Sequence, residues 1–196
     1  MWKNKDNVAL FSKTYFAELV EAFAKIPEKD IEKATQLLLC CYHGGKQMFL
    51  IGNGGSAATA SHFANDLSKG TRCEGRKRFK AFSLTDNIPL VTAWANDHSF
   101  EEIFVEQLTN LLHPGDLLVA ISGSGNSRNI LKAVEYVNAH QGHTFGLIGF
   151  QGGKLKDLVH ESIIVPSHRQ EIIEDIHLIL EHIICKYISF EIAEKK

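Results

Sequence analysis

Apolar side chains recur at helical spacing along the first part of the chain. Val8, Phe11, Tyr15, Phe16, Leu19 and Phe23 do so between Asp6 and about Ala24, and Ile31, Ala34, Leu37, Leu38 and Cys41 between Lys29 and Tyr42. Residues three and four apart share one face of a helix, so the pattern predicts two helices separated by the break at Pro27. Gly44-Gly45 supplies the stop for the second, because glycine enters the left-handed conformation that ends a helix without steric cost. Beyond that point the pattern changes. Short apolar runs at Met48–Ile51, Lys80–Leu84, Asp116–Ile121, Thr144–Ile148 and Ser162–Val165 alternate with longer stretches. Those stretches, at roughly Ser56–Lys69, Ile88–Ala95, Phe100–Leu112, Ser127–His140, Lys154–Val159 and Gln170–Ala193, are expected to be helical. Strands covered on both faces read as continuous apolar runs, and their alternation with helices builds a parallel sheet between two helical layers. The expectation is an α/β three-layer sandwich with a five-stranded parallel sheet and an N-terminal helical pair. No linker, low-complexity tract or supported repeat appears. A single domain over 1–196 is expected, with helices in 1–45 and the α/β core plus a C-terminal helix in 46–196.

Composition narrows the class. A chain of 196 residues can bury a full core, and 44% hydrophobic with 22% charged residues is ordinary for a soluble globular protein. The formal net charge of -2 gives no electrostatic reason to expect nucleic acid or a membrane as partner. The basic run Arg72-Cys73-Glu74-Gly75-Arg76-Lys77-Arg78 reads as a solvated loop. Met1-Trp2-Lys3-Asn4-Lys5-Asp6 lacks the apolar core and cleavage site of a secretion signal, and no apolar run approaches the ~20 residues of a membrane span. A cytoplasmic location is therefore expected. The four cysteines show no Cys-x-x-Cys spacing, and Cys40, Cys41 and Cys185 read as small buried hydrophobes.

Chemistry concentrates in two loops, Gly52-Asn53-Gly54-Gly55-Ser56 and Ser122-Gly123-Ser124-Gly125-Asn126-Ser127. Each follows an apolar strand and precedes a helix, where an open α/β sheet binds its ligands. Glycine lets the backbone approach a ligand closely, amides at the helix start face an anion, and serine hydroxyls add donors. Neither loop carries the Gly-Lys-Ser/Thr of a Walker A motif or a Gly-x-Gly-x-x-Gly dinucleotide pattern. The Ser-x-Ser-x-x-Ser spacing of the second favours phosphate binding over two plain turns.

These two loops resemble the signatures of the sugar isomerase (SIS) domain. The N-terminal helices, Ala95-Asn96-Asp97 and the Pro166-Ser167 exit from the last strand add a likeness to its phosphoheptose isomerase branch, over nearly the whole chain. The resemblance implies flavodoxin-like subunits in a homotetramer with active sites at subunit interfaces. It implies a phosphorylated sugar as ligand and conversion of sedoheptulose 7-phosphate to heptose 7-phosphate. By position it gives Ser56, Ser122, Ser124 and Ser127 to the phosphate, places Asn53 and Asp97 near the sugar, and adds Gly54, Gly55, Gly123 and Glu174 to the substrate-binding residues.

His62 and Asp66, four apart, share one helix face, and Glu174 and His182, eight apart, roughly share another. Two carboxylates and two imidazoles form a plausible Zn²⁺ set, although chance pairs at helical spacing are common among ten histidines. The zinc-binding members of the family place His and Glu on the first helix and Gln and His on the last. The matching residues here are His62, Asp66, Glu174 and His182, so Asp66 stands for a glutamate and Glu174 for a glutamine. Those departures leave Asp66, Glu174 and His182 all as candidates for the proton transfers of an enediol isomerisation. His177 points either to the sugar or into packing, and His168 and Arg169 either meet substrate hydroxyls or cap a helix.

Three readings follow from the resemblance. An isomerase of a phosphorylated seven-carbon sugar, or of another phosphosugar, is favoured by the retained quartet. A non-catalytic SIS regulator that binds the replication initiator protein has no use for those four residues. A ligand-sensing SIS domain ordinarily carries a DNA-binding helix-turn-helix segment, which this sequence lacks.

Overall fold

The computed structural model describes residues 7–194. The expected start of the first helix at Asp6, and the reading of Met1–Asp6, lie outside the described residues. Helix α1 runs over Val8–Ala24, and the Asn7 side chain caps it by accepting from the N–H groups of Ala9 and Leu10. Helix α2, Glu28–Gly44, ends at Gly45 in the left-handed conformation, φ 67°, with the Gly45 and Lys46 amides donating back to Tyr42 and Cys41.

Five strands follow: β1 (Gln47–Gly52), β2 (Lys80–Ser83), β3 (Leu117–Ser122), β4 (His143–Gly149) and β5 (Glu161–Val165). Every neighbouring pair is parallel, in the order β2-β1-β3-β4-β5. This is the flavodoxin-like arrangement, whose strand order reverses between β1 and β3. Side chains alternate across the sheet with the strand period of two. Met48 and Leu50 of β1 and Leu117 and Val119 of β3 pack beneath α1, α2, α3 (Gly55–Asn65) and α7 (Gln170–Glu194). Phe49 and Ile51, with Leu118 and Ala120, face α5 (Val105–Leu111) and α6 (Arg128–Ala139) on the other side. Helix α4 (Ile88–Asp97) adds partly buried Val91 and Trp94 to this second layer.

Three helical expectations are corrected. The stretch Ser56–Lys69 does not continue as one α-helix: after Asn65 it widens into a π-turn over Asp66–Gly70, closed by the Thr71 N–H donating to the Asp66 carbonyl at 3.2 Å. Of Phe100–Leu112 only Val105–Leu111 is helical, because the preceding turn buries Ile103 and Phe104 against the sheet. Lys154–Val159 reduces to a single 3-10 turn at Leu155–Asp157. Cys41 and Cys185 are buried as expected, but Cys40 is exposed. Successive helix residues point about 100° apart, so Cys40 and Cys41 cannot both face the core.

Candidate active site at the strand-order reversal

The two serine-rich loops leave the carboxyl ends of β1 and β3, the strands that flank the reversal. Asn53, Ser56, Ser122, Gly123, Ser124 and Ser127 line one cavity of about 150 Å³ there, together with Gln170 from the start of α7. Three helices begin at this cavity: α3 at Gly55, α6 just after Ser127, and α7 at Gln170. Their first amides have no partner within the helix and carry the positive end of its dipole, so the cavity suits an anion. The Ser122 hydroxyl accepts from the Gly125 N–H at 3.1 Å and that of Ser124 from the Asn126 N–H at 3.2 Å. These bonds hold the oxygens in place.

Two further pairs fix the walls. Asn53 and Asn129 exchange side-chain amide hydrogen bonds of 2.9 and 2.8 Å, joining the β1 loop to the first turn of α6. Above the loops, Gln170 donates to Glu174 at 2.8 Å. A Cβ on Gly55 would lie 2.5 Å from Glu174 Oε2, and one on Gly123 would lie 2.5 Å from Gln170 Nε2. Glycine at both positions is what lets α7 lay this pair directly over the loop backbone.

Helices α3 and α7 start side by side and run in the same direction. Seven residues below the Gly55–Glu174 contact, His62 Nδ1 lies 2.9 Å from Glu181 Oε1. His182 Nε2 stands 3.4 Å from the same oxygen and 3.9 Å from Asp66 Oδ2, and His62 Nε2 is 3.9 Å from Asp66 Oδ1. One ligand atom from each of His62, Asp66, Glu181 and His182 falls within 4.8 Å of the others. Among the described residues these four form the group of His, Asp and Glu that could hold a metal ion. The histidines are partly exposed while Glu181 is fully buried. Desolvation, and secondarily the charge of Asp66, push the Glu181 carboxyl up to about 8, with the Cys185 thiol pulling modestly the other way.

A SIS domain family model matches residues 13–149. The chain belongs to the SIS domain family. Phosphoheptose isomerases are among its relatives: that of Colwellia psychrerythraea is 37% identical over 183 residues, 90% of this chain and 93% of the relative. That of Helicobacter pylori is 36% identical over 188 residues, 95% and 97% of the two chains. The solved phosphoheptose isomerase of Neisseria gonorrhoeae superimposes with a TM-score of 0.86 at 32% identity, covering 94% of this chain and all of that one. This SIS domain therefore sits in the phosphoheptose isomerase branch.

The SIS fold brings together most of the residues its sequence singles out. Asn53, Ser56, Ser122, Gly123, Ser124 and Ser127 share the cavity, and His62, Asp66 and His182 share the cluster. Glu174 is set apart from the cluster, over Gly55 at the cavity rim. Asp97 is exposed at the end of α4, paired with the Asn96 amide at 2.8 Å, and does not line the cavity. Arg169 turns outward to Glu18 of α1 at 2.6 Å, and the His168 ring lies near Phe150. His177 is buried against β4, where desolvation holds its imidazole down at about 4 while the Ile148 backbone offsets this slightly. Three contributors escape the sequence reading: Asn129, Gln170 and Glu181. For Glu181 a signal exists. It interrupts, with His177, the apolar stripe Ile173, Ile176, Leu180, Ile184 and Ile188 on the buried face of α7.

Proposed function

We propose that the chain is a phosphoheptose isomerase, converting sedoheptulose 7-phosphate to D-glycero-D-manno-heptose 7-phosphate through an enediol. The observation that carries this reading is the joint arrangement of an anion cavity and an acid–base cluster along one pair of parallel helices. Seven residues of helix separate them, a rise of ~10 Å, comparable with the reach of an extended seven-carbon sugar from carbonyl to phosphorus.

In this reading Ser56, Ser122, Ser124 and Ser127, with the loop amides at Gly54, Gly55 and Gly123, bind the phosphate. Asn53 and Asp97 serve the sugar hydroxyls, Asp97 from an exposed position that suits a site completed by a neighbouring subunit. Isomerisation takes a proton from the carbon beside the carbonyl and returns one to the former carbonyl carbon. Asp66, His182 and Glu174 are the residues assigned to those transfers: a carboxylate removes the proton, and a second group donates to the carbonyl oxygen as it becomes a hydroxyl. Aspartate is one methylene shorter than glutamate, so the substrate carbon must approach α3 closely. His62, Asp66 and His182 fit a divalent cation such as Zn²⁺ in donor chemistry, and family position would add Glu174, which here sits over Gly55. Such an ion, when bound, polarises the carbonyl and hydroxyl oxygens.

Self-association as a homotetramer belongs to the same proposal. Val8, Phe16 and Val20 on α1, and Ile183, Tyr187 and Phe190 on α7, are exposed large apolar groups that subunit contact would cover. Among the described residues no helix is long and apolar enough to cross a membrane. A cytoplasmic location is consistent with the phosphosugar chemistry.

The test is incubation of the purified protein with sedoheptulose 7-phosphate, with and without added zinc, following aldose formation by NMR. Turnover that is lost in Asp66→Asn is expected. No conversion under either condition would reject the proposed activity.

A further inference from the structure

Glu181 has no role in the phosphate cavity, yet its burial demands one. Its side chain is fully buried between α3 and α7. A buried carboxylate persists only where it is hydrogen-bonded, paired or coordinated. Neither of its oxygens completes a hydrogen bond, although Oε1 is 2.9 Å from His62 Nδ1 and 3.4 Å from His182 Nε2. The distances are short enough and the angles are wrong. Atoms that share an ion behave in this way: each aims at a common centre rather than at its neighbour.

The spacings agree with that interpretation. Nitrogen and oxygen ligands ~2.0–2.1 Å from a tetrahedral zinc lie ~3.3 Å from one another. With one ligand atom taken from each of His62, Asp66, Glu181 and His182, the four lie within 4.8 Å of one another, a spread that small side-chain rotations close to this value. The donor set of two imidazoles and two carboxylates suits a divalent first-row transition ion. Glu174, which holds the fourth place by family position, is already engaged: it accepts from Gln170 and covers Gly55, two helical turns from Glu181.

We propose that Glu181 is a ligand in a His62–Asp66–Glu181–His182 site for a divalent transition-metal ion, leaving Glu174 at the phosphate end of the pocket. The location rests on the isomerase reading of this pocket, but metal binding is measured without any sugar, so the two stand or fall separately. The site links α3 to α7 through a buried carboxyl group, and coordination gives its oxygens the partner they lack.

The experiment is zinc titration of the full-length metal-stripped protein by calorimetry, together with the visible absorption of its cobalt-loaded form. The native chain is expected to bind one zinc per subunit. Glu181→Gln, nearly isosteric, should weaken zinc by more than ~100-fold and alter the cobalt spectrum, beyond the ~10–100-fold typical of a residue outside the ligand shell. Glu174→Gln should bind zinc within a few-fold of the native chain. Glu181→Met, which fills the same space without charge, should fold and fail to bind, separating ligand loss from misfolding. Unchanged zinc affinity in Glu181→Gln, a loss of at most ~100-fold with an unaltered cobalt spectrum, loss of zinc in Glu174→Gln, or no zinc binding by the native chain would each overturn the proposal.

Discussion

His177 couples stability to pH, and the size and sign of the effect follow from its position. The ring is 1% exposed on the buried face of α7, and desolvation holds it at about 4 against an ordinary 6.5. Between these values the unfolded chain binds a proton that the folded chain does not, so stability is intact above pH 6.5 and declines as pH falls toward 4. At about 1.4 kcal/mol per unit, the full gap corresponds to about 3 kcal/mol, of which about 2 kcal/mol is expressed at pH 5. The perturbation is His177→Leu, which keeps the site apolar and cannot titrate. Thermal unfolding of both proteins by calorimetry at pH 7.5 and pH 5 isolates the contribution, since all other groups cancel in the difference. For a chain of this size about 1 kcal/mol moves Tm by roughly 2–4 °C. The variant should therefore gain roughly 4–8 °C relative to wild type on going to pH 5. A Tm difference that stays constant across that range would show that His177 ionises alike in folded and unfolded chains, refuting the argument.

Other expectations concern the pocket. Gly55→Ala places a methyl group 2.5 Å from Glu174 Oε2; the flexible carboxylate must swing away, so circular dichroism should be unchanged while kcat falls by on the order of tenfold or more. Asn129→Ala removes both amide bonds to Asn53. It should cost about 2 kcal/mol in chemical denaturation. Ser124→Ala should raise KM for a phosphorylated sugar by on the order of tenfold, the worth of one hydrogen bond to a charged group, leaving inhibition by the unphosphorylated sugar unaltered.

Much of the fold is legible because it depends on local patterning. The five runs fall on the five strands, most sharply at β1, β3 and β4, which are buried on both faces and leave few polar positions to blur their limits. The pocket loops are legible for a related reason: glycine and serine at a strand end mark the backbone conformation and the donors together. The π-turn at Asp66 is not, because one extra residue in a turn leaves the neighbouring apolar spacing nearly intact. Nor is the partnership of His62 with Glu181, which depends on how α3 and α7 align across 119 positions of chain. Spacing along α7 alone groups Glu174 with His182, but the parallel packing assigns Glu174 to Gly55 and brings Glu181 beside His62. The Asn53–Asn129 pair is hidden in the same way, since each asparagine reads locally as an ordinary loop or first-turn residue.

Helix α7 gives the chain an order of events. All five strands precede residue 170, yet Gln170, Glu174, Glu181 and His182, with the α7 residues that cover one face of the sheet, all lie beyond them. Each meets a residue of the early α3 segment or the central β3 loop, contacts of long sequence separation that form slowly. During synthesis the last helix therefore completes both one face of the core and the pocket. A nascent chain that has released only the sheet holds serine loops without their roof and one histidine without its counterpart, and it gains a working pocket only when its last helix docks.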